Sequence, residues 1–168
     1  MENQYRLVKY NLNGKDVQQI VDVRASLTDM LRNDFRMTSV KKGCEVGECG
    51  ACTVLIDGEA FNSCIYLAVW ANGKKIRTLE SLIGPNGELF DIQQAFIEEA
   101  AIQCGFCTPG FLMSSIEILE SGKEYTDAQL RKLLSGHLCR CTGYENIIKA
   151  VKKTMYKRLG KPMPEEAK

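Results

Sequence analysis

The chain has one histidine, one tryptophan and four prolines in 168 residues. A single imidazole rules out a Rieske-type cluster, which needs two. Charge of one sign is also lacking: 22 Lys and Arg stand against 21 Asp and Glu, a formal net charge of +1. Nucleic-acid platforms draw much of their affinity from a basic excess, so that class is set aside. Long apolar runs are missing too. The longest, near Ile65 to Ala71, is short and contains a Tyr, so no membrane span is expected. The opening residues Met1 to Leu7 have neither a basic start nor an apolar segment, so no secretory signal and a cytoplasmic location are expected. No low-complexity tract or solenoid repeat is visible. A chain of this length makes one domain or two small ones, too little for a large catalytic domain. Elaborate chemistry would have to belong to a partner.

Against these absences stand eight cysteines. Disulfides rarely persist in the cytoplasm, so metal binding or catalysis is the better account of them.

The first half reads as a small sheet crossed by a helix. Tyr5 to Leu12 alternate in strand fashion, and Asn13-Gly14 is a preferred hairpin pair. Lys15 to Val23 form the return strand. Ser26 and Asp29 resemble a capping box, with Leu27, Met30, Leu31 and Phe35 at helical spacing behind them. Thr53 to Ile56 is a third strand ending in a second hairpin turn, Asp57-Gly58, and Lys74 to Leu79 is a further strand. The densest turn cluster, Gly84-Pro85-Asn86-Gly87, marks a boundary.

Beyond it the pattern is helical. Leu89, Ile92, Phe96 and Ala100 make one stripe, and Thr108-Pro109 opens a helix running to about Glu120. Phe111, Met113, Ile116 and Leu119 are its expected core residues. Thr126 with Gln129 and Thr142 with Glu145 read as capping boxes, the second opening a helix that lasts to Gly160. Four helices with short connections make a bundle. The expected division is residues 1–82, residues 83–160 and a tail at 161–168.

The cysteines split four and four across the boundary. Cys44, Cys49, Cys52 and Cys64 are spaced C-x4-C-x2-C-x11-C, and the first three match plant-type [2Fe–2S] ferredoxins. A two-residue turn at Asp57-Gly58 sets Ile56 opposite Glu59 and Cys52 opposite Ser63. Cys64 is thereby returned beside Cys52. The second set is Cys104-x2-Cys107 and Cys139-x-Cys141, each pair lying between two helices. Helix N-termini near that site would favour an anionic cluster. Two structural zinc sites, disulfides or unliganded core thiols remain alternatives on spacing alone. The bacterial C-x2-C-x2-C run of [4Fe–4S] ferredoxins is missing. Two [2Fe–2S] clusters is the preferred reading.

Gly43-Cys44-Glu45-Val46-Gly47-Glu48-Cys49-Gly50-Ala51-Cys52-Thr53-Val54 resembles the N-terminal cluster loop of the molybdenum hydroxylases. Gln103-Cys104-Gly105-Phe106-Cys107-Thr108-Pro109-Gly110 and Leu138-Cys139-Arg140-Cys141-Thr142-Gly143-Tyr144 resemble that family's second cluster site. The likeness runs from about Tyr5 to Val151. It implies an α+β subunit, a plant-type ferredoxin-like β-grasp domain followed by a four-helix bundle. It further implies that this chain is the iron–sulfur subunit of a xanthine dehydrogenase-type complex. A large partner subunit would hold a molybdopterin cofactor, a third would hold FAD, and the whole would form a dimer of heterotrimers. Electrons would pass from the molybdopterin site through the C-terminal cluster, then the N-terminal one, to the flavin. Cys44, Cys49, Cys52 and Cys64 would ligate the first cluster; Cys104, Cys107, Cys139 and Cys141 the second. Gln103 matches a glutamine whose amide contacts the pterin, and Cys141 the ligand closest to it. No catalytic residue is expected in this chain.

Purine substrates are the expectation. Carbon monoxide, nicotinate, aldehyde and aromatic-thioester enzymes use similar subunits, and a zinc-stabilised interaction module is the more distant alternative. His137, where relatives often have Asn, reads as a loop residue near the second cluster. Tyr66 and Trp70 read as core or interface packing, and Arg140 as a tuning charge or a partner contact.

Overall fold

A computed structural model describes residues 4–164; the ends of the expected N-terminal segment and C-terminal tail lie outside the described residues. Five strands form one mixed sheet: β1 (Tyr5–Leu12), β2 (Lys15–Asp22), β3 (Thr53–Ile56), β4 (Glu59–Asn62) and β5 (Lys75–Arg77). Their order is β2-β1-β5-β3-β4, with β5 parallel to β1 and antiparallel to β3. Both expected hairpins form. Asn13 and Gly14 take φ of 52° and 84°, and Asp57 and Gly58 take 52° and 95°. These left-handed positions match the twist of the flanking strands. β5 is shorter than the expected strand, because the chain turns into a 3-10 segment at Leu79–Ser81.

Helix α1 (Leu27–Asn33) covers one face of the sheet. Its Leu27, Met30 and Leu31 bury against Val8, Tyr10, Leu12, Val54, Ile56 and Ile76. Ser26 caps it, accepting the Asp29 N–H at 3.0 Å. The box is not reciprocal: the Asp29 carboxylate takes the Ser26 hydroxyl and the Lys42 ammonium instead. Phe35 lies beyond the helix end, its ring edge-on to Tyr10 at 6.1 Å.

The second half consists of α2 (Asp91–Glu98), α3 (Thr108–Glu120), α4 (Asp127–Leu133) and α5 (Glu145–Arg158). Helix α2 begins later than its sequence stripe suggests. The Phe90 N–H is taken by the Gln93 side chain at 2.8 Å, and Leu89 and Ala100 are left exposed outside the helix. Thr126 and Gln129 make the expected capping box of α4. At α3, Cys107 rather than Thr108 is the N-cap, its carbonyl accepting the Phe111 N–H. At α5 the N-cap is Tyr144, not Thr142.

Helix α3 is buried on nearly every side, because it lies between the sheet and the other helices. Leu55 of β3 turns away from its neighbours Val54 and Ile56 and joins the core of Phe96, Phe111, Met113, Ile116, Leu130 and Ile147. The alternating period of one strand therefore feeds two cores. Glu117 of α3 accepts the edge N–H of Ala60 in β4, and Arg77 pairs with Glu120 at 2.9 Å. Arg158 grips Asp91 with two hydrogen bonds, tying the end of α5 to the start of α2. These contacts place the two cysteine-bearing loops against one another.

Candidate metal centres

The first four cysteines meet between a loop and a hairpin. Cys44 and Cys49 lie on the loop between α1 and β3, which turns through left-handed positions at Glu45, Gly47 and Gly50. That winding points three backbone N–H groups at the Cys44 sulfur, from Val46 at 3.5 Å, Glu48 at 3.3 Å and Cys49 at 3.4 Å. Led by the Val46 N–H, they pull the Cys44 thiol down to about 6. A sulfur held this way is prepared to carry negative charge. Cys52 precedes β3, and the register pairs Thr53 with Asn62 and Ile56 with Glu59. Cys52 is thus opposite Ser63, whose hydroxyl donates to the Cys52 carbonyl at 2.7 Å, and Cys64 follows as the turn arithmetic requires. Burial and the neighbouring Cys52 push the Cys64 thiol up to about 11. The Asn62 amide donates to the Gly47 carbonyl at 2.7 Å, fastening loop to hairpin.

The second four come from two separate loops. Cys104 and Cys107 lie between α2 and α3, and Cys139 and Cys141 between α4 and α5. The sulfurs of Cys104 and Cys141 are 3.6 Å apart, and Cys107 is within hydrogen-bonding reach of Cys139. Burial, then the Cys139 sulfur, pushes the Cys107 thiol up to about 12. Burial also opposes charge on Cys139. Hydrogen bonds from the Thr142 hydroxyl and N–H outweigh it, and the Cys139 thiol lies below its ordinary value. Gln103, Cys104, Arg140 and Cys141 are all exposed, with the apolar side chains of Ile102, Phe106 and Leu138 around them.

In both places the thiols come as two pairs: Cys44 with Cys49 and Cys52 with Cys64, then Cys104 with Cys141 and Cys107 with Cys139. Among the described residues, no three His, Cys, Asp or Glu side chains converge on one ion position. Two thiolate pairs are what two irons need, each taking two thiolates and sharing the bridging sulfides. The donor sets fit such clusters.

Sequence reasoning missed how the two loops are joined. The Leu138 N–H, one residue before Cys139, donates to the Cys49 carbonyl at 3.0 Å. His137 is buried beside this bond rather than lying free in its loop. Its Nε2 meets the Ser114 hydroxyl at 2.7 Å, and its ring centre is 4.7 Å from that of Phe111. Burial pushes its pKa down to about 4, so it is neutral at ordinary pH. Gly50 and Gly110 make room for this packing. A side chain on Gly50 would meet the His137 ring and the Gly136 carbonyl, and one on Gly110 would strike the Gly50 carbonyl. Nothing in the local pattern signals a contact between residues so far apart. Elsewhere, Trp70 is exposed and stands edge-on to Tyr66 at 5.4 Å, which itself meets Phe61 at 5.8 Å.

The fold and its paired sulfurs define a protein of two iron–sulfur domains, and comparison with known proteins agrees. Residues 10–75 match the 2Fe-2S iron-sulfur cluster binding domain, and residues 78–152 match the [2Fe-2S] binding domain. The chain is 49% identical over 144 residues to the nicotine 6-hydroxylase small subunit of Paenarthrobacter nicotinovorans, covering 86% of each chain. It is 47% identical to the xanthine dehydrogenase iron-sulfur-binding subunit of Escherichia coli O157:H7, covering 86% of this chain and 91% of the relative. The caffeine dehydrogenase subunit gamma of Pseudomonas sp. (strain CBB1) is also 47% identical, over 87% of this chain and 89% of its own length. Among solved structures, a chain of quinoline 2-oxidoreductase from Pseudomonas putida 86 superposes with a TM-score of 0.87 at 40% identity, over 95% of this chain and all of that one. The chain belongs to the family of iron–sulfur small subunits of the molybdenum hydroxylases. Its cofactors are two [2Fe–2S] clusters, and it is the electron-transfer subunit of an oxidoreductase. Among the described residues no helix is long and apolar enough to cross a membrane.

Proposed function

We propose that this chain conducts electrons between a molybdopterin cofactor in a large partner subunit and FAD in another, within a cytoplasmic dimer of heterotrimers. Cys44, Cys49, Cys52 and Cys64 hold one cluster, and Cys104, Cys107, Cys139 and Cys141 the other. The working division falls near residues 82 and 83, with residues from 161 as a tail. When bound, a [2Fe–2S] cluster takes up and releases one electron at a time.

The observation carrying this reading is the difference in exposure at the second centre. Cys104 and Cys141 are open at one end, with Gln103 beside them, while Cys107 and Cys139 lie deeper, toward the first loop. Among the described residues Gln103 has no hydrogen-bond partner, and its exposed amide is suited to a polar group of a pterin. Cys141 is the sulfur nearest that partner. Ile102, Phe106 and Leu138 supply an apolar rim that a partner would cover.

The substrate of the complex is a purine, xanthine or a close relative. Two of the relatives above are named for purines, xanthine and caffeine, and the others for nicotine and quinoline, which are also nitrogen heterocycles. The test is to purify the chain with the subunits that accompany it and follow dye reduction. The expected result is co-purification of a molybdenum-containing large subunit and turnover of xanthine faster than of nicotinate or an aldehyde. Isolation free of any molybdenum subunit would overturn the assembly. Preference for nicotinate or an aldehyde would overturn the purine assignment alone.

A further inference from the structure

We propose that Thr142 raises the reduction potential of the second cluster by donating its hydroxyl proton to the sulfur of Cys139. The inference rests on the reading of Cys139 as a ligand of that cluster.

Thr142 has the sequence of a helix cap, but its hydroxyl does not cap α5. It lies 3.1 Å from the Cys139 sulfur. The Tyr144 N–H donates to the same oxygen at 3.2 Å, which occupies one of its two lone pairs and leaves the hydroxyl proton available to the sulfur. A ligating thiolate has no proton of its own, so the hydroxyl must be the donor. The Thr142 backbone N–H adds a second bond to this sulfur at 3.4 Å.

The Cys139 N–H does not join them. It is held by the Tyr144 hydroxyl at 3.0 Å. Tyr144 reaches both positions because it adopts φ 71° and ψ −24°, a left-handed conformation that an aromatic residue rarely accepts. Strain of this kind persists only where the surroundings impose it. Here the ring packs edge-on to Phe111 at 6.3 Å, and two hydrogen bonds fix its ends.

At the first centre the donors to Cys44, apart from its paired cysteine, are backbone groups. Among the described residues, Thr142 supplies the one side-chain hydroxyl that reaches any of the eight sulfurs. Reduction adds negative charge to a cluster, so a donor on a ligand sulfur stabilises the reduced form more than the oxidised one. The hydroxyl therefore makes the second cluster easier to reduce than the same ligand set would be alone.

The test is redox titration of the full chain in its complex, following the two electron paramagnetic signals separately. In Thr142→Val the second cluster's signal should move to a more negative midpoint potential while the first cluster's stays in place. Thr142→Ser, which keeps the hydroxyl, should restore the wild-type value. Thr142→Ala gives the same comparison if the valine variant loads poorly. Unchanged midpoints in both Thr142→Val and Thr142→Ala, or equal movement of both signals, would overturn the proposal. Cys139→Ser separates it from the ligand assignment. Loss of one signal upholds the assignment whatever Thr142 does, whereas retention of both removes the assignment and the proposal with it.

Discussion

The two cysteine sets solve one problem in different ways. The first is formed by a continuous loop closed by a hairpin, with its Cys44 sulfur supplied by backbone N–H groups. Its four cysteines come from one short stretch of chain, although the loop is also tied to the second site through Cys49 and Gly50. The second exists only where the bundle brings together two loops from opposite ends of the helical half, and Cys139 depends on a side-chain hydroxyl. One centre is a property of a segment. The other is a property of a fold.

The most severe way to break the comparison is to remove one ligand from each centre. Cys49→Ser should eliminate the first cluster and leave the second, so that iron falls from about four to about two per chain with one paramagnetic signal surviving. Cys107→Ser should do the reverse. If the two centres are built as described, the Cys107 variant should also lower thermal stability more, because α3 and α5 lose a link that crosses the bundle.

Next in size is a pair of glycine substitutions. Gly50→Ala combines a φ of +70° with collision against the His137 ring and against the Gly136 carbonyl at 2.6 Å from the new Cβ. Gly105→Ala has a similar φ of +80° but meets nothing within 4 Å. The second should show only the backbone cost, about 1–2 kcal/mol. The first should exceed it clearly in denaturant unfolding, because the two loops would have to part.

Gln103→Ala sharpens the contrast at the exposed end. Removing one neutral amide takes away no ligand, so both clusters should remain loaded. If the amide bonds the pterin, molybdopterin retention should fall by the equivalent of about 1–3 kcal/mol. Wild-type cofactor content and turnover would make Gln103 a solvent-facing residue.

The smallest effect concerns acid. The Arg158 guanidinium holds the Asp91 carboxyl below its ordinary value. Its folded pKa is depressed, so the unfolded chain binds the proton first as pH falls. The stabilisation is complete above the ordinary carboxylate value, about 3.9, and is lost as pH drops through the lower folded value. Asp91→Asn should flatten that part of the stability profile. The second cluster's signal should respond to it before the first, because the pair fastens the bundle.

Much of this was legible in the sequence. Asn13-Gly14 and Asp57-Gly58 encode their turns through positive φ, and the second turn alone put Cys64 beside Cys52. The spacing of Cys44, Cys49 and Cys52 encodes a local loop and needs no tertiary information. Other features were not legible because they depend on distant packing. Leu55 looks like its neighbours in a buried strand, and only the position of α3 makes it part of the second core. His137 has the local setting of a loop residue, but Ser114 and the glycines at 50 and 110 bury it. Thr142 with Glu145 matches a cap motif, yet a sulfur three residues earlier competes for the hydroxyl and wins. Leu89 fits the α2 stripe by period, but Gln93 starts the helix after it.

The most direct test of the central claim, two paired-thiolate centres in one chain, is the metal and sulfide content of the intact chain together with its paramagnetic spectrum on partial reduction. About four iron and four acid-labile sulfides per chain, with two distinct signals of equal spin count, are expected. Stoichiometric zinc without labile sulfide, or a single signal from two iron, would contradict it.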